Sequence, residues 1–136
     1  MDFEAKKAWL KRYRDAGQRL RVLEEDMRMW EDIATHITPR YTDDIKGKGG
    51  TSDKIGEAAT SIAHIQAEIT EQVKQMAAQR AEVLAAIMSI DNAQYVTLLY
   101  RRYILCDRWE DIAAKMRYDV RHVTRLHGLA LAKLKI

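Results

Sequence analysis

Four histidines, one cysteine and the adjacent pair Asp43-Asp44 are the residues that could do catalysis or hold a metal, and their spacing disfavours both. His36, His64 and the pair His122/His127 lie far apart in the chain. The step of five from His122 to His127 misses the step of four that sets two ligands on one helical face. Cys106 is single, so it can close no internal disulfide, and it reads as the reduced thiol of an intracellular protein. Asp43-Asp44 falls in a predicted loop, where nothing would raise the pKa of one carboxyl for acid catalysis. The run Gly47 to Gly50, with Lys46, Lys48 and Thr51-Ser52 around it, invites comparison with a phosphate-cradling loop. The GxxxxGK[ST] spacing is absent and no buried strand precedes it, so it reads as a mobile linker. The chain is therefore read as non-enzymatic, with no cofactor and no metal.

Phosphate recognition by basic side chains is the chemistry that remains. From Asp91 to Ile136 there are nine Lys/Arg against five Asp/Glu, net +4, so the rest of this +3 chain nets −1. A positive excess gathered at one end is the charge pattern of a segment that meets nucleic acid. Within it, Trp109, Ile112, Ala113 and Met116 predict a short helix starting near Asp107. A break at Arg117-Tyr118 follows, and Asp119 is a suitable N-cap for a further helix with Val120, Val123, Leu126, Ala130, Leu131 and Leu134 inward. This is a helix-turn-helix pattern: small Ala113 lets the two helices cross closely, and Tyr118 is expected to plug the angle between them. If the second of these helices enters a major groove of double-stranded DNA, Arg121, His122, Thr124, Arg125 and Gly128 face outward. Arg121 and His122 lie in its first turn, where base edges are reached, and Arg125 follows one turn on. Arg108 and Lys115 of the preceding helix are read as phosphate contacts. His127 is expected to pack beside the core, and Arg101 and Arg102 to meet backbone or Glu110. Tyr95, Leu98, Leu99, Tyr103 and Ile104 give the apolar face of a helix capped by Asp91-Asn92.

Long helices must carry this element. Trp9, Tyr13, Ala16, Leu20, Leu23, Met27, Trp30, Ala34 and Ile37 recur in alternating steps of four and three, the seam of a helix packed lengthwise on another. Ile55, Ile62, Ile69, Met76, Val83 and Ile90 repeat every seven residues, widened by Ile65, Val73, Leu84 and Ile87 and interrupted by Gln72, Gln79 and Arg80. Pro39 is expected to end the first helix, and Thr51, Ser52 or Asp53 to cap the second. The predicted fold is all-α: residues 1–90 form a long antiparallel hairpin with a mobile loop at 38–54, and 91–136 a helix-turn-helix domain. Each hairpin helix is about 45 Å long at a rise of ~1.5 Å per residue. Two such helices share little apolar area with anything else, so a homo-oligomer is expected. Trp9 and Trp30 read as seam residues. No apolar stretch approaches the ~20 residues of a membrane span, and the first residues, with charges scattered through them, do not read as a secretory signal.

The stretch from Leu98 to Leu134 resembles region four of bacterial sigma factors. It is more closely similar to the ArpU/RinA-type transcriptional regulators encoded by phages, whose ends read roughly RY-I-x-G-x-x-W-x-x-IA-x-x-M-x-YS-x-R-x-V-x-R-x-H-x-x-AL. The DDIKGKGG segment and the long helices share the likeness, which covers nearly the whole chain. The resemblance implies a sequence-specific DNA-binding regulator of phage or prophage late genes, acting in the cytoplasm of a bacterial host with host RNA polymerase as a partner. Two departures stand out. Arg117 occupies a place where the family usually has glycine, predicting a mildly strained left-handed residue. Asp119 replaces a serine, keeping the cap but bringing negative charge toward phosphate. Two other readings compete: a DNA-recognition small terminase subunit in phage packaging, and an RNA polymerase-binding adaptor without DNA affinity.

Overall fold

Three short polar side chains open three of the helices. Asp2 Oδ1 accepts from the Ala5 amide at 2.7 Å, Asn92 Oδ1 from Gln94 and Tyr95 at 2.9 and 3.2 Å, and Asp119 Oδ1 from His122 at 2.8 Å. Each satisfies donors that a helix N-terminus leaves without an intrahelical partner. The computed structural model describes residues 1–41 and 50–136, with side chains described for 1–36 and 53–136. Among these residues every regular element is a helix: α1 Phe3–Tyr41, α2 Gly50–Met88, α3 Ala93–Tyr103, α4 Trp109–Met116 and α5 Val120–Lys133.

Helical backbone extends past the ends expected from the sequence. Pro39 lies inside α1, and Thr51, Ser52 and Asp53 lie inside α2, which starts at Gly50. A proline forfeits one helical donor, but its fixed φ is itself helical, so near a helix end it costs less than at mid-helix. The rest of the expected mobile loop, 42–49, lies outside the described residues. No described helix is long and apolar enough to cross a membrane.

The chain divides into two compact units, Met1–Gly17 with Gln75–Ile136, and Gln18–Lys74. This differs from the expected boundary at 90/91, and the reason is the core. Leu10 of α1, Val83 and Ile87 at the end of α2 and Ile90 just after it belong to one buried cluster with Leu98, Leu99, Ile112, Val123, Leu131 and Leu134. Full burial of a leucine is worth ~1.5–3 kcal/mol, so the three short helices gain much of their stability from the two long ones. Polar contacts follow the same lines. Lys6 Nζ donates to the carbonyls of Leu131 and Leu134 at 2.8 and 2.9 Å, satisfying acceptors at the C-terminal end of α5. Arg12 pairs with Glu82 at 2.7 Å and lies 4.5 Å over the Trp9 ring. A Cβ built on Gly17 would meet Met76 Cε at 3.6 Å, so here α1 and the end of α2 run antiparallel.

In the unit Gln18–Lys74 the periodicity holds in burial. Leu20, Leu23, Met27, Trp30 and Ala34 are half-buried on α1; on α2, Ala58 and Ile65 are buried and Ile55, Ile62 and Ile69 half-buried. Val73 departs from its expected place and is 48% exposed. Half-buried Gln72 takes the seam position between Ile69 and Met76, which rotates its neighbour outward.

Candidate nucleic-acid interface

Ala113 of α4 belongs to the buried cluster that α5 also enters. It is buried at the centre of α4 with Ile112, and Val123 and Leu126 are buried on α5. The turn between them is Arg117, Tyr118 and Asp119. Arg117 takes φ 61° and ψ 42°, the left-handed conformation, and its amide meets the carbonyls of Ala113 and Ala114; the Tyr118 amide donates to Ala113 O at 3.0 Å. These bonds close α4 in the way a glycine usually does. Asp119 then opens α5, so the strained residue and the cap together define the turn.

Two inward expectations are corrected here. Val120 is 41% exposed at the first position of α5. Tyr118 does not plug the inter-helix angle: it is exposed, hydrogen-bonded through its hydroxyl to Gln94 Nε2, with its ring edge-to-face on His122 at 4.4 Å. The hydroxyl keeps the ring at the surface, and Val123 fills the space instead.

The residues expected to face outward on α5 fall into two groups. Arg121 and Arg125, four apart and so on one face, are exposed, and no described carboxylate pairs with either. Thr124 is exposed, but its hydroxyl donates to the Val120 carbonyl at 2.8 Å, leaving it as an acceptor toward any ligand. His122 is half-buried against Tyr118. Gly128 is half-buried, with Phe3 of α1 3.9 Å from where a Cβ would stand, so the outward surface of α5 ends before it.

On α4's side the cations are partly neutralised. Arg108 Nε donates to Asp111 at 3.2 Å, a carboxylate that raises its already high pKa, and Lys115 lies 3.4 Å from Asp107. Asp107 also faces Arg101 at 3.7 Å. Arg102 donates to the Asp107 carbonyl at 3.0 Å and lies 4.4 Å over the Trp109 ring, so neither of these arginines has Glu110 as its partner. These pairs lie at the surface, where solvent screening keeps them weak.

Behind the interface, His127 is buried, with its ring surrounded by Phe3, Tyr103 and Trp109. Burial, aided by Lys7, Arg102 and Lys11, lowers its pKa to about 4, and burial pushes Tyr103 up to about 12. Both are neutral near pH 7, a stable core pair rather than an acid-base couple. Among the described residues no group of three or more His, Cys, Asp or Glu is placed to hold a metal. Cys106 is exposed and also left-handed, with φ 60°, at the place where the pattern RY-I-x-G carries its glycine. That correspondence was the available signal for a second strained turn. No protein-family model, curated protein or solved structure matches this chain.

Proposed function

We propose that this chain is a sequence-specific DNA-binding transcriptional regulator of the phage or prophage type, reading duplex DNA with α5 of a helix-turn-helix carried behind an antiparallel helical hairpin. The observation that carries the reading is the pairing of α4 and α5 across a three-residue turn, with Ala113 and Val123 buried and Arg121 and Arg125 exposed, neither meeting a carboxylate among the described residues. A guanidinium in the first turns of such a helix suits the two acceptors of a guanine edge. Arg108 and Lys115 would exchange Asp111 and Asp107 for phosphates and set the register. Host RNA polymerase and a second copy of the chain are the implied protein partners, in the cytoplasm of a bacterial host.

The test is an electrophoretic mobility shift with fragments of the genome of origin, at ~50 and ~200 mM salt. A complex with one fragment that resists non-specific competitor and weakens with salt supports the reading. Absence of any shifted band at either salt would sink it. Oligomeric state separates regulation from packaging: a large ring would favour a small terminase subunit.

A second reading draws on one specific feature. Leu84, Met88, Val96, Tyr100 and Leu105 line an apolar groove of about 330 Å³ beside α3, with Met88 62% and Leu105 48% exposed. Exposed apolar grooves mark protein contacts, which suits an adaptor that meets RNA polymerase without DNA affinity of its own.

A further inference from the structure

We propose that the cleft between the first turns of α1 and the α4–α5 pair holds backbone phosphates of bound duplex DNA, making Lys7 and Lys11 DNA contacts. The proposal rests on the duplex-binding reading above.

The cleft has a volume of about 250 Å³ and is lined by Lys7, Lys11, Arg102, Trp109, Thr124 and His127, with Phe3 and Tyr103 completing its wall. Three of these residues are cations and none is a carboxylate. Arg102 is pinned in place, flat against Trp109 and bonded to the Asp107 carbonyl, so little rotamer entropy is lost when it meets an anion. Lys7 faces the exposed Glu4 at 3.6 Å and lies 5.3 Å over the Phe3 ring, and Lys11 has no ion-pair partner among the described residues. Lys7 and Lys11 lie one turn apart, about 6 Å along α1. The polar groups at the wall answer each other, Tyr103 Oη and His127 Nε2 at 2.7 Å, so the cations are the lining groups that remain for an anion. The same cations help to hold His127 neutral, as a positive field would.

Thr124 links the cleft to α5. It lines the cleft and also belongs to α5, three residues after Arg121 and next to Arg125. Thr124 therefore places the cleft beside the part of α5 that carries the arginines proposed to read bases. A groove-bound helix has a phosphate strand along its flank, and contacts there position the helix without reading sequence. The helix that sequence reasoning treated only as a seam thereby supplies part of the interface.

The experiment uses the full chain, a duplex selected from a random pool by that chain, and a scrambled duplex of equal length. Dissociation constants are measured across a salt series for the parent, Lys7→Gln/Lys11→Gln, Lys11→Gln and Lys7→Arg/Lys11→Arg. The expected result is a plot of log affinity against log salt that is shallower by about two for the double Gln variant and by about one for Lys11→Gln. Both duplexes should weaken alike, with the preference between them unchanged, and the Arg variant should keep the parent slope. A parent that discriminates the duplexes, with Gln variants of parental slope, overturns this proposal and leaves the regulator reading intact. A parent that binds neither duplex overturns both. In that case a shift of the Trp109 indole resonance on adding inorganic phosphate, lost in Lys11→Gln, would reassign the cleft to a free phosphorylated molecule. Circular dichroism of each variant identifies misfolding, and the single change at half-buried Lys11 supplies the slope if the double variant does not fold.

Discussion

The Tyr103 hydroxyl and His127 Nε2 lie 2.7 Å apart between α3 and α5, with the two rings stacked at 5.8 Å between centroids. This contact satisfies both polar groups within the core on which the proposed reading helix sits. The cations that would meet phosphate surround it.

Stability should therefore depend on pH through His127. Its folded-state pKa is about 4 against an ordinary 6.5, so between those values the unfolded chain takes up a proton that the folded chain refuses. Its contribution is fully present above pH ~6.5, falls as pH drops, and is lost by pH ~4, amounting to about 2–3 kcal/mol. Urea denaturation at pH 7.5, 5.5 and 4.5 would measure this. His127→Gln keeps a hydrogen-bonding group without the titration and should flatten the dependence across that window.

Arg125→Ala should weaken binding to the selected duplex by ~1–3 kcal/mol, with preference relaxed at one base pair. Arg108→Gln should weaken all duplexes alike, since a phosphate contact carries no sequence information. A competition assay with single-base-pair variants of the site separates the two patterns. Parental affinity and preference in the Arg125 variant would remove that residue from the interface.

Arg117→Gly and Cys106→Gly should each raise the melting temperature by a few degrees, a gain of about 0.5–1 kcal/mol. Both positions have φ near 60°, where a Cβ is crowded, and the relief exceeds the extra freedom glycine gives the unfolded chain. Calorimetry of the two variants checks it, and an unchanged melting temperature for both would mean that the turns relax without cost.

Leu10→Ala should destabilise the chain by ~2–5 kcal/mol, as much as Leu98→Ala, although Leu10 lies more than eighty residues before α3. A peptide of residues 91–136 alone should lack a cooperative thermal transition, because Leu10, Val83 and Ile87 would be missing from its core. Sharp, cooperative melting of that peptide would show the C-terminal helices to be self-sufficient.

Legibility in the sequence followed the range of the physics. The heptad steps that placed Trp9, Tyr13, Ala16, Leu20 and Trp30 on a seam depend only on helical period, and every one of these residues is buried or half-buried. Asn92 and Asp119 were readable as caps because capping acts over two or three residues. Left-handed Arg117 was readable through the glycine that the resembling family usually has there, and Cys106 only through the glycine in the resembling pattern. Val120 and Val73 were misplaced for a different reason. Each has the right residue type, but exposure there depends on which neighbour covers the position.

Residue type, period and capping thus determined by themselves that this chain is helical, where its short helices begin, and that its positive charge gathers in the last third. Those are local properties, and a window of one or two turns contains them. Only the tertiary structure decided that the start of α1 and the end of α2 share a core with α3–α5. It also decided that Asp107 and Asp111 partly neutralise Lys115 and Arg108 while Arg121 and Arg125 meet no carboxylate among the described residues, and that Lys7 and Lys11 line a cleft with Arg102 and Thr124. These relationships join residues up to more than a hundred positions apart, and packing in three dimensions, not periodicity along the chain, brings them together.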